Sequence, residues 1–199
     1  MWEDRFATPH YVYGTAPSRF LTSHEDYLYP GRTALAVADG EGRNSVFMAQ
    51  KGLSVVALET APSALAKARA LAEMRGVQVT FRAEDVLSRD WETDAFDIVA
   101  GIFIQFADPA DRSALFAGMG RAVVPGGRIL LHGYTPEQIA LGTGGPPCAE
   151  NLYTEGMLRA AFDGWKVEVC RAYEAVLSEG TGHAGRSALI DFIARKPAA

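Results

Sequence analysis

The chain has 199 residues, 48% of them hydrophobic and 22% charged, and a formal net charge of −5. This length suits one sizeable core and is short for two, so we expect a single domain over residues 1–199. The acidic balance, with no run of Lys and Arg, disfavours a nucleic-acid partner and leaves small molecules as the expected ligands.

The termini, apolar runs and cysteines predict where the protein works. Its N-terminus, MWEDRFATPH, is polar and acidic and does not resemble a secretory signal. The longest apolar run, IVAGIFIQFA, is about half of the roughly 20 residues that a membrane span needs. Cys148 and Cys170 lack metal-ligand spacing, and a disulfide between them is poorly supported. We therefore expect a cytoplasmic protein with reduced thiols and no membrane partner.

Residues 1–32 are rich in aromatic side chains and prolines and show no clear period. They predict an irregular segment that acts either as a hydrophobic lid or as ordinary packing. Beyond it, strand and helix patterns alternate. The predicted strands are TALAVA (33–38), LSVVALE (53–59), VQVTFRAED (77–85), AFDIVAGIF (95–103) and RILLHGY (128–134). The predicted helices are 43–51, the segment from Pro62 to Gly76, and the segment from Pro109 through Val124, after which PGG (125–127) predicts a turn.

The alternation loosens after residue 134. A short helix, a glycine-proline loop and a second helix, TEGMLRAAF, are followed by two β-rich segments that the polar loop SEGTGHAG joins. Near-continuous apolar strands separated by helices are typical of a parallel sheet that is covered on both faces. We therefore predict an α/β fold with a doubly wound, mostly parallel seven-stranded sheet, helices on both faces and an antiparallel edge hairpin.

The loop after the first strand, ADGEGRN, is the first candidate binding element. Ligands of such sheets bind beyond the carboxyl ends of the strands, which places residues 38–44 in the site. A dinucleotide fingerprint needs a third glycine where Ser45 stands. Moreover, Asp39 and Glu41 would oppose a pyrophosphate, at ~3 kcal/mol for each like-charge pair at ~5 Å and an effective dielectric near 20. Arg43 offsets part of this cost, so a nicotinamide-dependent oxidoreductase stays an alternative.

A cationic cofactor without phosphate, S-adenosylmethionine, suits the same loop better. Gly40 and Gly42 permit close backbone approach. Glu59 ends the second strand 17 positions after Gly42, close to the roughly 20 expected of a carboxylate that accepts the ribose hydroxyls. Asp85 ends the third strand and suits the adenine amine. The alternatives are that Glu59 is an acid favoured by a helix N-terminus and that Asp85 caps the next segment.

The array ADGEGRN, VVALE, AED, FDIV and PGGRILL resembles the motif series of class I S-adenosylmethionine-dependent methyltransferases. The segments YVYGTAPSRFL, YTPEQIALGTGGP and EGTGHAGRSALI look more narrowly like the bacterial tellurite-resistance and thiopurine methyltransferase branch. The resemblance implies a Rossmann-like methyltransferase fold and S-adenosylmethionine as cofactor. The cofactor-binding residues it implies are Ala38, Asp39, Gly40, Gly42, Arg43, Glu59, Asp85, Val86 and Phe103.

One position departs from that family, which usually has an acid where this chain has Ala36. An alanine side chain cannot hold the ammonium of the cofactor's methionine. Our hypothesis is that Asp39 replaces the missing acid.

Candidate residues on the acceptor side are His132, Tyr134, His183 and Arg186. The first two end the fifth strand, and the last two lie in the polar loop that precedes the last strand. Each has an ordinary alternative, since a lone strand histidine is often structural and a polar loop is often solvated surface.

The sequence therefore predicts a methyltransferase that acts on a small molecule. With no obvious acid–base pair, we expect a soft nucleophile such as a thiol or a chalcogen oxyanion, which needs little general base catalysis. No P-loop, nucleophile elbow or zinc pattern is present, so metal dependence is not indicated. A nicotinamide-dependent oxidoreductase and a non-catalytic cofactor-binding module are the alternatives, and neither the acceptor nor the oligomeric state follows from the sequence.

Overall fold

Strands and helices alternate along most of the computed structural model, which describes residues 2–198. The strands in this range are β1 Thr33–Val37, β2 Ser54–Glu59, β3 Thr80–Ala83, β4 Phe96–Ile102, β5 Val123–Tyr134, β6 Lys166–Glu179 and β7 His183–Arg195. The helices in this range are α1 Trp2–Phe6, α2 Arg19–Ser23, α3 Arg43–Gln50, α4 Pro62–Met74, α5 Pro109–Ala122, α6 Gln138–Leu141 and α7 Glu155–Ala161. Within residues 2–198, none of the helices is long and apolar enough to cross a membrane.

The strand order in the described chain is β3-β2-β1-β4-β5-β7-β6, in a seven-stranded sheet. The pairs β1–β2, β2–β3 and β4–β5 are parallel, whereas β5–β7 is antiparallel. The predicted fold class, a doubly wound and mostly parallel α/β sheet with an antiparallel edge, is confirmed.

The chain divides into two compact units. The first contains the residues up to Arg89 together with Glu179–Gly182, and the second contains Asp90–Ser178 and the residues from His183 onward. The expectation of one domain over residues 1–199 stays a prediction.

Helix α4 and the N-terminal segment build much of the first unit. Pro62 opens α4, since a proline at the first helical position loses no intrahelical hydrogen bond. Its buried face consists of Ala64, Leu65, Ala68, Leu71 and Ala72. Glu3 in α1 accepts hydrogen bonds from the Ser63 amide and hydroxyl, at 3.0 and 2.5 Å, which fastens α1 to the start of α4.

The β5–β7 pair sets the register of the second unit. His132 lies opposite Asp191, and Tyr134 lies opposite Leu189. Because side chains alternate between the two faces of a strand, His132 and Tyr134 share one face of β5.

Pro125–Gly127 form part of β5 and not the predicted turn, and the preceding helix ends at Ala122. The Gly126 amide donates to the Lys196 carbonyl, and the Lys196 amide donates to the Gly127 carbonyl. These bonds to the end of the chain keep the segment extended, although the β4–β5 register shifts beside it.

The predicted polar loop SEGTGHAG was also placed wrongly. Strands β6 and β7 extend until only Gly180–Gly182 separates them, so His183 and Arg186 lie on β7 and not in a loop. The periodicity of the sequence missed these ends because hairpin pairing, which no local pattern reports, keeps polar residues extended. The third strand is likewise shorter than predicted, at Thr80–Ala83.

Candidate functional site

The loop between β1 and α3 contains three residues in the left-handed region of the backbone. Ala38 has φ 49°, Gly40 has φ 62° and Gly42 has φ 87°. The left-handed region is ordinary for glycine and costly for alanine. The loop is therefore a tight turn, and its backbone is strained at Ala38, a residue predicted to contact the cofactor.

Gly42 is required for the loop to approach α4. A Cβ atom at Gly42 would lie 2.7 Å from the Cβ of Ala68 and 2.8 Å from its Cα, closer than real side-chain atoms pack. At Gly40 the nearest obstacle is the Phe6 ring, at 3.4 Å. At Gly42 the close approach is therefore to α4, and the predicted close approach of the cofactor to the two glycines stays a prediction.

Glu59, at the end of β2, joins the glycine loop to the start of α4. One carboxylate oxygen accepts from the Gly40 amide at 2.9 Å. The other accepts from the amides of Thr60 and Ala61, at 2.8 and 2.9 Å. The alternative of an acid at a helix N-terminus therefore has contacts, and Glu59 also holds the loop through the Gly40 amide. Its predicted contact with ribose stays a prediction.

Asp39 is bound to the first turn of α3. Its carboxylate accepts from the Ser45 amide at 3.2 Å and from the Ser45 hydroxyl. Removal of the carboxyl from water, more than any neighbouring charge, raises the pKa of Asp39 to about 7. Ala36 is the penultimate residue of β1 and is buried, at 3% exposure. That Asp39 replaces the missing acid stays a hypothesis. Its carboxylate already accepts hydrogen bonds from Ser45.

Glu41 has a structural partner set that the sequence did not reveal. Its buried carboxylate accepts from the Val12 and Tyr13 amides, at 2.8 and 3.3 Å, and forms an ion pair with Lys67 Nζ at 2.8 Å. Glu41 thereby holds the N-terminal segment against the loop. Its negative charge is largely compensated by these contacts.

Arg43, the first residue of α3, forms an ion pair with Glu179 at 2.8 Å. Its side chain is only 6% exposed, and its Nη1 atom has no hydrogen-bond partner among the described residues. A buried guanidinium donor without a partner is costly, so Nη1 is a candidate ligand contact. The predicted cofactor role of Arg43 stays a prediction.

Asp85 and Val86 follow β3 in a turn. Asp85 is exposed, and its carboxylate accepts from the Leu87 amide at 3.0 Å, as a residue that caps a turn does. Val86 is buried at 5% exposure. This hydrogen bond supports the alternative that Asp85 caps the turn. Its predicted contact with the adenine amine stays a prediction.

In the second unit, three of the predicted acceptor-side residues surround Phe103. Its ring centroid lies 4.7 Å from that of His132, 4.8 Å from that of Tyr134 and 4.0 Å from that of His183. Phe103 has φ 58°, an outlier for an aromatic residue, and its amide donates to the His132 carbonyl at 2.8 Å. We call Phe103, His132, Tyr134 and His183 the aromatic cluster.

Arg186 does not join the aromatic cluster. Its guanidinium pairs with Glu174 at 2.6 Å, and its side chain is 69% exposed. An exposed ion pair contributes little to stability, so Arg186 has the character of a surface residue on β7.

Sequence reasoning missed three residues that hold this region together. Asp191 Oδ1 accepts from His132 Nδ1 at 2.7 Å and from the Tyr173 hydroxyl at 3.1 Å. The buried Gln105 side chain donates to the Tyr134 carbonyl and accepts from the Tyr134 amide, at 2.8 and 2.6 Å. A signal was present for Asp191, because it is a lone acid within the apolar run SALIDFIA. Its partner follows only from the hairpin register.

The comparisons with known proteins converge on one family. Residues 34–127 match the model of a family described as a methyltransferase domain. A demethylmenaquinone methyltransferase of Thermus thermophilus is 34% identical over 104 residues, which is 51% of this chain and 47% of that protein. Residues 34–127 are similar to methyltransferase domains, which supports a class I S-adenosylmethionine-dependent methyltransferase. The predicted family is thereby confirmed.

Solved structures share the fold of this methyltransferase domain across most of the chain. TehB from Haemophilus influenzae superposes with a TM-score of 0.75 at 16% identity, covering 98% of this chain and 67% of that one. Magnesium protoporphyrin IX methyltransferase from Synechocystis, solved with bound SAH, superposes with a TM-score of 0.65 at 16% identity, covering 89% of this chain and 78% of that one. The presence of TehB among these neighbours agrees, at the level of the fold, with the resemblance to the tellurite-resistance and thiopurine methyltransferase branch. The chain spans about half the length of the relatives it matches in sequence.

Proposed function

We propose that the whole chain transfers a methyl group from S-adenosylmethionine to a small-molecule acceptor. The observation that carries this proposal is the glycine loop, with three left-handed residues in a methyltransferase-family segment and a carboxylate, Glu59, bound to its Gly40 amide. The bound cofactor would supply a methyl group already activated by its sulfonium. The protein then contributes mainly proximity and orientation.

The residues of the first unit fit such a cofactor. Gly40 and Gly42 leave the loop backbone without side chains, and two carboxylates, Asp39 and Glu59, have lone pairs beyond those that their backbone partners use. We propose that Glu59 accepts the ribose hydroxyls, that Asp39 faces the ammonium and that Arg43 binds the carboxylate of the cofactor's amino-acid part. Asp85, Val86, Ala38 and Phe103 complete the proposed set.

Titration calorimetry with S-adenosylhomocysteine tests the cofactor assignment. We expect saturable binding with one site per chain. A matched thermal-shift measurement with NADH separates the oxidoreductase alternative, because a ligand at about 100 times its Kd adds ~2.7 kcal/mol to the free energy of unfolding. Stabilisation by NADH and not by S-adenosylhomocysteine would contradict the proposal.

The acceptor is a separate proposal. Thiols and chalcogen oxyanions are the two classes that the sequence favours, and the aromatic cluster of the second unit is the proposed acceptor-side surface. A screen that follows transfer of a labelled methyl group to small thiols, selenite and tellurite distinguishes the enzyme from a non-catalytic binding module, which would bind the cofactor without turnover. A cytoplasmic location stays a prediction.

A further inference from the structure

Two acidic residues lie next to each other where the strands β1 and β2 end. The Asp39 amide donates to the Leu58 carbonyl at 2.9 Å, and the next amide, that of Gly40, donates to the Glu59 carboxylate at 2.9 Å. Asp39 and Gly40 are half-buried, whereas Glu59 is only 8% exposed. All four residues belong to the first unit, so this pair of acids is a feature of that unit alone.

The cations beside the glycine loop are already paired with other acids. Lys67 pairs with Glu41 at 2.8 Å, and Arg43 pairs with Glu179 at 2.8 Å. Within residues 2–198, no ion pair joins either acid at the strand ends to a cation. A further cation at the loop, such as the ammonium of the proposed cofactor, therefore meets an excess of negative charge.

The two acids differ in how firmly their ionised forms are held. Glu59 accepts from three backbone amides, which can only donate and so favour an ionised carboxylate. Asp39 accepts from one amide, that of Ser45, and its other contact is with the Ser45 hydroxyl. Because a hydroxyl can also accept, this contact suits a protonated Asp39 as well as an ionised one.

The Ser45 hydroxyl has a hydrogen-bonding arrangement for each of these states. When Asp39 is ionised, Ser45 Oγ donates to its carboxylate. When Asp39 is protonated, the carboxyl donates to Ser45 Oγ, and the hydroxyl donates to the Gly42 carbonyl, which lies 3.2 Å away. Ser45 is fully buried, and neither state leaves its hydroxyl without an acceptor. The loop can therefore hold or release one proton without losing a buried hydrogen bond.

The surroundings of Asp39 favour the protonated state. Removal of the carboxyl from water is the largest cause that raises its pKa to about 7. The charged groups that act on Asp39 are Glu59, at the end of β2, which also raises the pKa, and Arg43, on α3, which lowers it together with the hydrogen bonds from Ser45. Without a further cation at the loop, Asp39 is therefore mostly protonated at pH 6.

We propose that binding of the cofactor's cationic amino-acid part expels a proton from Asp39 and turns the Ser45 hydroxyl from the Gly42 carbonyl to the carboxylate. This inference rests on the proposed function and adds a regulation of the same site by pH. An ammonium close to a carboxylate stabilises its ionised form and so disfavours the proton. The charge balances, because the loop gives one proton to solvent, and no covalent bond to carbon or sulfur changes.

Titration calorimetry counts this proton. S-adenosylhomocysteine is titrated into the full chain at pH 6 and pH 7.5, in two buffers whose ionisation enthalpies differ. The difference between the measured heats gives the number of protons released. 5′-Methylthioadenosine, which has the nucleoside and the thioether but no amino-acid part, is the matched ligand. Asp39→Asn removes the titrating group, and Asp26→Asn, at an exposed position, is the control.

We expect S-adenosylhomocysteine to release close to one proton at pH 6 and fewer at pH 7.5. Its Kd should be about 8-fold higher at pH 6, because a group with a pKa of about 7 has to lose its proton before the cation binds. 5′-Methylthioadenosine should release no proton and bind equally at both pH values. Proton release and pH dependence should both vanish in Asp39→Asn and persist in Asp26→Asn.

Three results would overturn the inference and leave the proposed function standing. The first is binding of S-adenosylhomocysteine to the unaltered protein at pH 6 without proton release, a result that needs no variant. The second is equal proton release by 5′-methylthioadenosine, which would assign the proton to the nucleoside part. The third is proton release that persists in Asp39→Asn. Absence of S-adenosylhomocysteine binding in the unaltered protein would instead overturn the proposed function.

Discussion

The carboxylate of Glu59 accepts the backbone amide of Gly40 at 2.9 Å, across 19 positions of sequence. This bond connects the end of β2 to the middle of the glycine loop after β1. A carboxylate placed in this way controls the loop before any ligand arrives. In the proposed enzyme, one residue therefore both shapes the cofactor loop and contacts the cofactor.

Replacing Glu59 by Ala should weaken cofactor binding and also lower stability, because its carboxylate accepts from the amides of Gly40, Thr60 and Ala61. A hydrogen bond to a charged group contributes about 1.5–3 kcal/mol, so we expect the Kd for S-adenosylhomocysteine to rise by about 10- to 150-fold. Calorimetry measures the affinity, and chemical denaturation measures stability in parallel. The control is Glu73→Ala, an exposed acid on α4. Unchanged affinity in Glu59→Ala would show that the ribose assignment is wrong.

The close approach of Gly42 to α4 predicts a large cost for adding one methyl group. In Gly42→Ala the new Cβ would lie 2.7 Å from that of Ala68 at a φ of 87°, so overpacking adds to backbone strain. Gly76→Ala is the matched control, because Gly76 has φ 65° and no atom within 4 Å of the added Cβ. We expect Gly42→Ala to lower the free energy of unfolding by about 1–3 kcal/mol more than the control in urea denaturation. Equal losses would mean that the loop shifts away from α4 at no cost.

The raised pKa of Asp39 predicts how stability depends on pH. Its folded value, about 7, lies above the ordinary 3.8, so between these values the folded state binds more protons than the unfolded state. The contribution of Asp39 to the free energy of unfolding therefore falls as the pH rises from about 4 to 7. Asp39→Asn lacks this pH dependence. Its free energy of unfolding, relative to that of the unaltered protein, should therefore rise over that pH range, by at most ~4 kcal/mol.

Denaturation at pH 4, 5.5 and 7 measures this difference. Asp26→Asn, at an exposed position, is the control and should show no comparable trend. If the difference between Asp39→Asn and the unaltered protein stays constant with pH, then Asp39 is ionised in the fold throughout, and burial does not govern it.

Most of the fold could be predicted from the sequence, because apolar strands and capped helices are local patterns. Pro62 and Gly42 each mark a helix start through their own backbone preferences. The errors fell where pairing decides the structure. Pro125–Gly127 stay extended through bonds to Lys196, about 70 positions away, and no local rule contains that contact.

The candidate site was predictable to the same extent. Residues at strand ends, such as Glu59 and His132, follow from the topology of a parallel sheet. Asp191 as the partner of His132 does not, because it depends on the register of an antiparallel hairpin whose strands are each over ten residues long. For this reason, the hydrogen bond between His132 and Asp191 could not be predicted from the sequence.

Glu41 predicts how the N-terminal segment is held. Its carboxylate accepts hydrogen bonds from the amides of Val12 and Tyr13 and from the ammonium of Lys67. In Glu41→Ala these three donors lose that acceptor. Breaking such a buried pair costs about 3–5 kcal/mol when one partner is removed. Because Lys67 keeps a bond to the His10 carbonyl at 2.7 Å, we expect the lower end of that range in urea denaturation.

Hydrogen exchange locates the effect within the chain. In Glu41→Ala the amides of Val12 and Tyr13 should exchange faster by at least about 10-fold, since each loses its acceptor, while amides in the β5–β7 pair keep their rates relative to global unfolding. Glu41→Gln keeps an oxygen acceptor but not the charge, so it should restore part of the protection of Val12 and none of the ion pair with Lys67. Exchange at Val12 and Tyr13 that is equally slow in all three proteins would show that packing of Phe6 and Val12 against Ala61 and Ala64, and not Glu41, holds the segment in place.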